Sequence, residues 1–174
     1  GTDNANVTGN NITNLTSSNT GTAGATGIQA NVGTNSTSLN VSNNTISSLT
    51  SAGGGLNTYG IGGFSPNMMI ANNTITGLAM TGNANSFGIM LSGANNSTIL
   101  GNTVSTMSST ANIPFGINVQ GATTTVNISG NIVSGITSSS TTAGTAGIFL
   151  SGSIDNITVQ NNKVTGISNT SPGL

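Results

Sequence analysis

Residues 7–15 read VTGNNITNL, and the same order of side-chain types returns in residues 128–136 as ISGNIVSGI. The 174-residue chain contains six such stretches, and each aligns on one asparagine. Successive asparagines are 34, 29, 29, 29 and 31 residues apart. A period of this kind is typical of a solenoid, in which each repeat forms one coil. The aligned residues are Asn10, Asn44, Asn73, Asn102, Asn131 and Asn162.

Apolar residues keep fixed positions around each of these asparagines: three residues before it, two after it and five after it. All eighteen positions hold Val, Ile, Leu or Met. In the first coil they are Val7, Ile12 and Leu15. We predict one short strand before the asparagine and another after it, both with an apolar face toward a shared interior.

A Gly-Ile pair falls once between consecutive copies and predicts a third strand in each coil. In the last three copies Leu91, Val119 or Leu150 follows the Ile by two residues, as in a strand with one buried face. Segments rich in Gly, Ser and Thr, such as residues 17–26 and 138–146, predict loops between the strands. Residues 1–174 are therefore predicted to form a single domain. The pairs are Gly27-Ile28, Gly60-Ile61, Gly88-Ile89, Gly116-Ile117 and Gly147-Ile148.

The repeated asparagine marks a sharp bend between two strands. Asparagine tolerates the left-handed backbone region better than other residues with a side chain, so we expect each of the six to supply that conformation. Its amide both donates and accepts hydrogen bonds, so the stacked side chains should form a ladder along the solenoid axis. Six equivalent copies indicate a structural role, because a catalytic or binding site normally occurs once.

The pattern from residue 128 through GIFL at residues 147–150 resembles the right-handed parallel β-helix repeat. This resemblance covers nearly the whole chain and implies an all-β, single-stranded parallel β-helix of about six coils. The family pattern is shared by pectate-lyase-like enzymes, phage tailspikes and large bacterial surface proteins, so it implies fold more than function. The Asn-, Thr- and Ser-rich form is most similar to secreted bacterial adhesin-like proteins, which implies an extracellular or cell-surface location. Coils of 29–34 residues exceed the usual family length and imply an extended loop in each coil.

An antiparallel β-sandwich is the alternative fold, since short strands and glycine-rich loops also suit it. Such a fold predicts tight hairpins. The sequence contains no Asn-Gly and no Asp-Gly dipeptide, so the strongest two-residue hairpin signal is missing. This observation favours the β-helix.

Charged side chains are almost absent: only Asp3, Asp155 and Lys163 are charged at neutral pH, and there is no His or Cys. The chain therefore has no basic patch for nucleic acid or anionic membranes. No apolar run approaches the roughly 20 residues that would span a bilayer. Clustered carboxylates, catalytic triads and zinc ligands are also lacking, so we predict no enzymatic activity, no metal and no cofactor.

Three aromatic residues precede the Gly-Ile pairs in successive coils: Tyr59, Phe87 and Phe115. Each stands two residues before an inward-facing Ile, so strand alternation predicts that the rings stack inside the core. The aromatic residues outside this column, Phe64 and Phe149, are predicted to be more exposed.

Two surface features suggest ligands of lower rank. Residues 62–68, GGFSPNM, are predicted to form an exposed loop whose Phe64 could contact a surface glycan. Rows such as Thr74/Thr76 and Thr103/Ser105 flank the inward residue after each asparagine and resemble the ice-binding face of some solenoid antifreeze proteins. The rows fail at Ile132 and Lys163, and threonine is favoured on strands in any case.

Neither end of the sequence resembles a polar capping segment, although open solenoid ends expose core and strand edges. The first motif begins a few residues after Gly1, and the last ends at Ser168. We therefore expect a structural scaffold whose copies associate head to tail into a fibre. The alternative is that these residues are a segment of a longer adhesin whose caps lie elsewhere.

Overall fold

The computed structural model describes residues 4–18, 21, 24–31, 38–121, 123–141 and 144–171. Asp3 and parts of the loops predicted at residues 17–26 and 138–146 lie outside these ranges. The described residues form eighteen strands and no helix. The strands belong to three sheets, which we call sheets A, B and C.

Sheet A contains the six strands that precede the repeated asparagine. They are β1 (Asn4–Thr8), β5 (Ser38–Ser42), β8 (Met68–Ala71), β11 (Ser97–Leu100), β14 (Thr123–Ser129) and β17 (Ile154–Gln160).

Sheet B contains the strands that follow the asparagine. They are β2 (Asn11–Thr13), β3 (Thr16–Ser17), β6 (Thr45–Ser51), β9 (Thr74–Met80), β12 (Thr103–Ser109), β15 (Ile132–Ser138) and β18 (Lys163–Asn169).

Sheet C contains the strands that carry the Gly-Ile pairs. They are β4 (Thr26–Ala30), β7 (Thr58–Gly63), β10 (Ser86–Ser92), β13 (Pro114–Gln120) and β16 (Ala146–Ser151).

Each coil runs through sheets A, B and C in turn, and every strand pairs in parallel with its counterpart one coil away. For example, Val41 pairs with Ile70, which pairs with Ile99. The predicted parallel β-helix is confirmed, and the antiparallel sandwich is not supported. The prediction of about six coils needs one adjustment: in the part of the chain that the structure describes, five coils contain strands of all three sheets and the sixth contains only β17 and β18.

The interior is a single apolar column to which all three sheets contribute. The second coil supplies Val41 from sheet A, Ile46 and Leu49 from sheet B and Ile61 from sheet C, and none of the four is exposed. Their equivalents are buried in the following coils, as the repeat predicts. In the last coil Val159 is 46% exposed and Val164 is 43% exposed, because no described coil covers them.

Left-handed residues divide each sheet B strand. They lie four residues after the repeated asparagine, with φ between 55° and 71°. In a regular strand Ile46 would share its face with Ser48; the left-handed Ser48 changes the alternation, so that Leu49 faces inward instead. This explains why the apolar positions stand two and five residues after the asparagine. The left-handed residues are Asn14, Ser48, Gly77, Thr106, Gly135 and Gly166.

The sequence prediction for the bend was wrong in one respect. The left-handed residue is the one before the ladder asparagine, with φ between 54° and 69°, and no ladder asparagine has a positive φ. Asparagine or glycine occupies this preceding position in every coil because both tolerate the conformation. One residue therefore makes the bend and the next makes the ladder. The residues that make the bend are Gly9, Asn43, Asn72, Gly101, Gly130 and Asn161.

The sheet C strands also interrupt the regular alternation. A Cβ atom at Gly88 would lie 2.3 Å from Cγ1 of the inward-facing Val104, so position 88 faces the interior. The next residue, Ile89, belongs to the same core. Phe87 is thereby placed on the outer face, where it packs with Met90 in a separate cluster. Phe87 and Phe115 are 2% and 7% exposed, so the aromatic column is buried, but in this second cluster rather than in the central apolar column, because the alternation is broken at the glycine.

Candidate functional surfaces

The asparagine ladder runs along the corner between sheets A and B. Oδ1 of Asn44 accepts hydrogen bonds from the backbone N–H of Asn10 at 3.0 Å and from its Nδ2 at 2.8 Å. Nδ2 of Asn44 donates to the Val7 carbonyl at 2.8 Å and to Oδ1 of Asn73 at 2.9 Å. Three bonds of 2.8–3.0 Å join every later pair of ladder residues. The backbone N–H and Nδ2 of the earlier asparagine donate to Oδ1 of the later one, and Nδ2 of the later one donates to a sheet A carbonyl of the preceding coil.

The interior members of the ladder are sealed from solvent. Asn44, Asn73, Asn102 and Asn131 are at most 1% exposed. Each amide bonds on both sides, so a buried polar group that would otherwise be costly is satisfied. The ladder predicted from the sequence is confirmed as a hydrogen-bonded column, and its symmetry gives no single position a distinct chemical environment.

The two ends of the ladder are chemically different. At the N-terminal end no donor in the described part of the chain reaches Oδ1 of Asn10, which is exposed. At the C-terminal end Nδ2 of Asn162 donates to the carbonyls of Ile128 and Gln160. Its equivalents in earlier coils also donate to the next Oδ1, and in the described residues no such acceptor lies beyond Asn162.

The aromatic residues form a continuous stack on the outer face of sheet C. The ring centroids of Tyr59 and Phe87 are 5.5 Å apart, and those of Phe87 and Phe115 are 5.1 Å apart, with near-parallel planes. Phe149 extends the stack at 5.1 Å from Phe115, although the sequence placed it outside the column. It is 41% exposed, in line with its predicted exposure. Phe64 is half-buried and meets Tyr59 edge to face at 5.9 Å.

A small cavity opens at the Tyr59 end of this stack, where Thr26 of the preceding coil replaces an aromatic residue. Its volume is about 300 Å³. Tyr59 and Phe64 supply ring surface, and Gln29 and Asn57 supply amides. The hydroxyl of Tyr59 accepts a hydrogen bond from Nδ2 of Asn57 at 3.2 Å.

The loop predicted at residues 62–68 is shorter than expected. Gly62 and Gly63 belong to β7 and Met68 belongs to β8, so only residues 64–67 connect the two strands. Ser65 in this connection is fully buried. The sequence indicated Phe64 as a contact residue but missed Gln29 and Asn57, since nothing in their local sequence distinguishes them from other polar residues.

The threonine and serine rows lie in register on the outer face of sheet B. Thr74 pairs with Thr103 and Thr76 pairs with Ser105, and the Ser105 hydroxyl donates to Oγ1 of Thr76 at 3.2 Å. Ile132 and Lys163 continue the first column, as their sequence positions predict. The two columns are therefore real, and ice binding remains a prediction.

The remaining surface is poor in reactive groups. Asp155 lies on β17 and Lys163 begins β18, and both are exposed. No group of three or more His, Cys, Asp or Glu side chains that could hold a metal ion occurs among the described residues. The described ranges also contain no helix of the length and apolarity needed to cross a membrane.

Comparison with known proteins agrees with this geometry. The family model for the right handed beta helix region matches residues 1–173. No curated protein and no solved structure matches the chain.

Proposed function

We propose that this chain, which belongs to the right-handed β-helix family, is a non-catalytic structural scaffold whose coils stack between molecules into a fibre. That family includes both enzymes and structural proteins. The observation that carries this proposal is the uniform asparagine ladder, which reaches both terminal coils with hydrogen-bonding groups left over. A further coil would satisfy these groups as each interior coil does.

The apolar surface of the last coil supports the same proposal. Val159 and Val164 occupy the positions that are fully buried in the central coils, yet they are almost half-exposed here. Covering them with the Val7 and Ile12 positions of a second molecule would remove apolar surface from water, at about 25 cal/mol per Å². Sheets A and B would provide this contact, because sheet C ends one coil earlier, at β16.

The absence of catalysis is proposed from the chemistry of the described surface. Enzymes that break glycosidic bonds typically need two carboxylates close together, and the whole chain has only two acidic residues, Asp3 and Asp155. The four interior ladder asparagines are fully engaged in hydrogen bonds and are buried, so they surround no open site. We further propose that the fibre acts outside the cell or at its surface, because its Asn-, Thr- and Ser-rich repeat resembles that of secreted bacterial adhesin-like proteins.

Electron microscopy and sedimentation at increasing protein concentration test the assembly. We expect elongated particles about as wide as one solenoid, whose length grows with concentration. Monomers alone at millimolar concentration would contradict the proposal. A screen of purified protein against pectin and related polymers tests the catalytic part, and turnover above background would overturn it.

Glycan binding is a second candidate function, favoured by the cavity at Tyr59 and Phe64. Ring faces beside amide groups can stack on a sugar and bond its hydroxyls. Saturable binding of a soluble oligosaccharide should be lost in Phe64→Ala and retained in Phe149→Ala, which alters a ring at the opposite end of the stack. Equal binding by both variants would exclude this cavity.

A further inference from the structure

The asparagine ladder has a direction, and every bond in it obeys the same rule. The backbone N–H and Nδ2 of one coil donate to Oδ1 of the coil that follows it in sequence. Nδ2 of the following coil donates back to a sheet A carbonyl of the preceding coil. The N-terminal end of the stack therefore presents an acceptor at Oδ1 of Asn10, and the C-terminal end presents donors at Asn162.

We propose that this direction makes the N-terminal end of the solenoid complementary to the C-terminal end of another copy, and neither end complementary to a copy of itself. Copies of this chain therefore join only head to tail. The proposal rests on the stacking proposed above and names its junction. Asn162 of one copy donates through its backbone N–H and Nδ2 to Oδ1 of Asn10 in the next copy. Nδ2 of that Asn10 donates to the Val159 carbonyl, as Asn162 itself does to Ile128.

The apolar columns continue through the same junction. Val159 corresponds to Val7, Val164 to Ile12 and Ile167 to Leu15 in their distances from the ladder asparagine. In the interior these columns are in exact register from coil to coil, as in the pairs Val7 with Val41 and Ile12 with Ile46. One rotation of the incoming copy about the axis therefore aligns the ladder and the core together.

Contact between like ends lacks this match. Two N-terminal ends would bring Oδ1 of one Asn10 against Oδ1 of the other, and two C-terminal ends would bring donors against donors. The chain also runs through sheets A, B and C in one sense around the axis, and inverting a copy reverses that sense. Two inverted copies cannot place sheet A on sheet A and sheet B on sheet B at the same time, so like ends lose both the ladder bonds and the apolar register.

The test uses one variant that blocks each end. Asn10→Lys replaces the exposed acceptor with a donor, which opposes the donors of the incoming Asn162. Asn162→Asp replaces the donor amide with a carboxylate that opposes Oδ1 of the incoming asparagine. Each change should weaken end-to-end association about 100-fold, which is the usual effect of leaving a charge unpaired in a contact. Val159→Lys is a second C-terminal block, at a side chain already nearly half-exposed.

Matched controls carry the same charge on the outer face of the same terminal strands. They are Asn11→Lys on β2 and Thr165→Asp on β18, both at exposed positions. Circular dichroism and thermal unfolding verify that every variant keeps the β-helix. If the controls block assembly as strongly as the ladder variants, added charge alone explains the effect and the proposal is overturned.

Sedimentation of single variants and of mixtures then distinguishes the outcomes. Head-to-tail joining predicts that Asn10→Lys alone and Val159→Lys alone stay monomeric, whereas their equimolar mixture forms heterodimers and nothing longer, because both blocked ends carry a lysine. A dimer of either variant alone would show that like ends join, and would overturn the direction while leaving stacking intact. A wild-type chain that never associates would overturn the stacking proposal itself. In wild-type fibres the axial repeat should be about 29 Å, or six sheet A layers at about 4.8 Å each.

Discussion

At the scale of single residues, the bend between sheets A and B divides two tasks between neighbours. The first residue, glycine or asparagine, adopts the left-handed conformation, and the second forms the ladder. The sequence indicated the ladder correctly because its amide chemistry requires the same residue in every coil. The sequence prediction assigned the bend to the wrong member of a pair such as Asn72 and Asn73, because asparagine suits both tasks.

Removing an interior ladder amide should be far more damaging than removing a terminal one. Asn102→Ala leaves the N–H groups of Asn73, the Ile70 carbonyl and part of Oδ1 of Asn131 without partners in a buried site. Each buried polar group left unpaired costs about 1–3 kcal/mol, so we expect a total loss of about 3–5 kcal/mol. Asn10→Ala, at an exposed end, should cost about 1 kcal/mol. Urea unfolding of both variants measures the difference, and equal losses would contradict the importance of burial.

The left-handed threonine on β12 offers a stabilising substitution. Thr106 has φ of 55°, which is unfavourable for a β-branched residue, whereas Gly77 and Gly135 occupy the same position in the neighbouring coils. Because Thr106 is exposed, Thr106→Gly removes strain without opening a cavity. We expect a gain of up to about 1 kcal/mol after the entropic cost of glycine.

The matched control for this change is Thr103→Gly, on the same strand but with no positive φ. It should lose about 0.5–1 kcal/mol, because glycine weakens a regular strand. If both variants shifted the midpoint of urea unfolding in the same direction, strain at Thr106 would not be the cause.

At the scale of the strand, the sequence did not reveal where the alternation of side chains between the inner and outer faces is interrupted. The left-handed column of sheet B contains Asn, Ser, Thr and Gly, so no residue type marks it. Its effect was nevertheless visible in the spacing of Ile46 and Leu49, three residues apart and both inward. In sheet C the Gly-Ile pair predicts the start of a regular strand, although the glycine faces the interior beside the isoleucine.

Glycine precedes the isoleucine in every sheet C strand for a steric reason. A Cβ at Gly88 would lie 2.3 Å from Cγ1 of Val104 and 2.6 Å from the carbonyl oxygen of Gly116. Gly88→Ala must therefore move both the side chain and the backbone of the next coil. We expect a loss of about 1–3 kcal/mol, the usual range for overpacking.

Gly144→Ala is the comparison for this substitution, since a Cβ there meets nothing within 4 Å. Its midpoint of thermal unfolding should be nearly unchanged. A neutral Gly88→Ala would mean that the coils can separate enough to accept a methyl group, contrary to the tight stacking of sheet C.

At the scale of the whole molecule, stability comes from apolar stacking and hydrogen bonds, with almost no contribution from charge. The chain has two acidic side chains, one basic side chain and no histidine. The six-fold repeat predicted a solenoid with a common core, and its resemblance to the β-helix repeat predicted the parallel strands. Surface cavities depend on contacts between loops of different coils, and no repeat encodes them.

Unfolding should accordingly be insensitive to pH and salt. Stability depends on pH only through groups that bind protons differently in the folded and unfolded states, and very few ionisable groups are present. Between about pH 5 and pH 9 we expect the free energy of unfolding to change by less than about 1 kcal/mol. The same should hold when sodium chloride shortens the screening length from about 10 Å to about 3 Å. A change of several kcal/mol in either titration would reveal an ion pair that dominates stability.

The regular orientation of the ladder amides has an electrical consequence. An amide group carries a dipole of about 3.5 D, and dipoles aligned head to tail add along their common axis. The amide-to-amide bonds from Asn10 to Asn162 all point the same way, so the dipoles of these side-chain amides add along the solenoid. A protein with a net charge of only −1 thus becomes a rod with an electropositive and an electronegative pole. Such rods would turn to align in an applied electric field, with the Asn162 end toward the cathode.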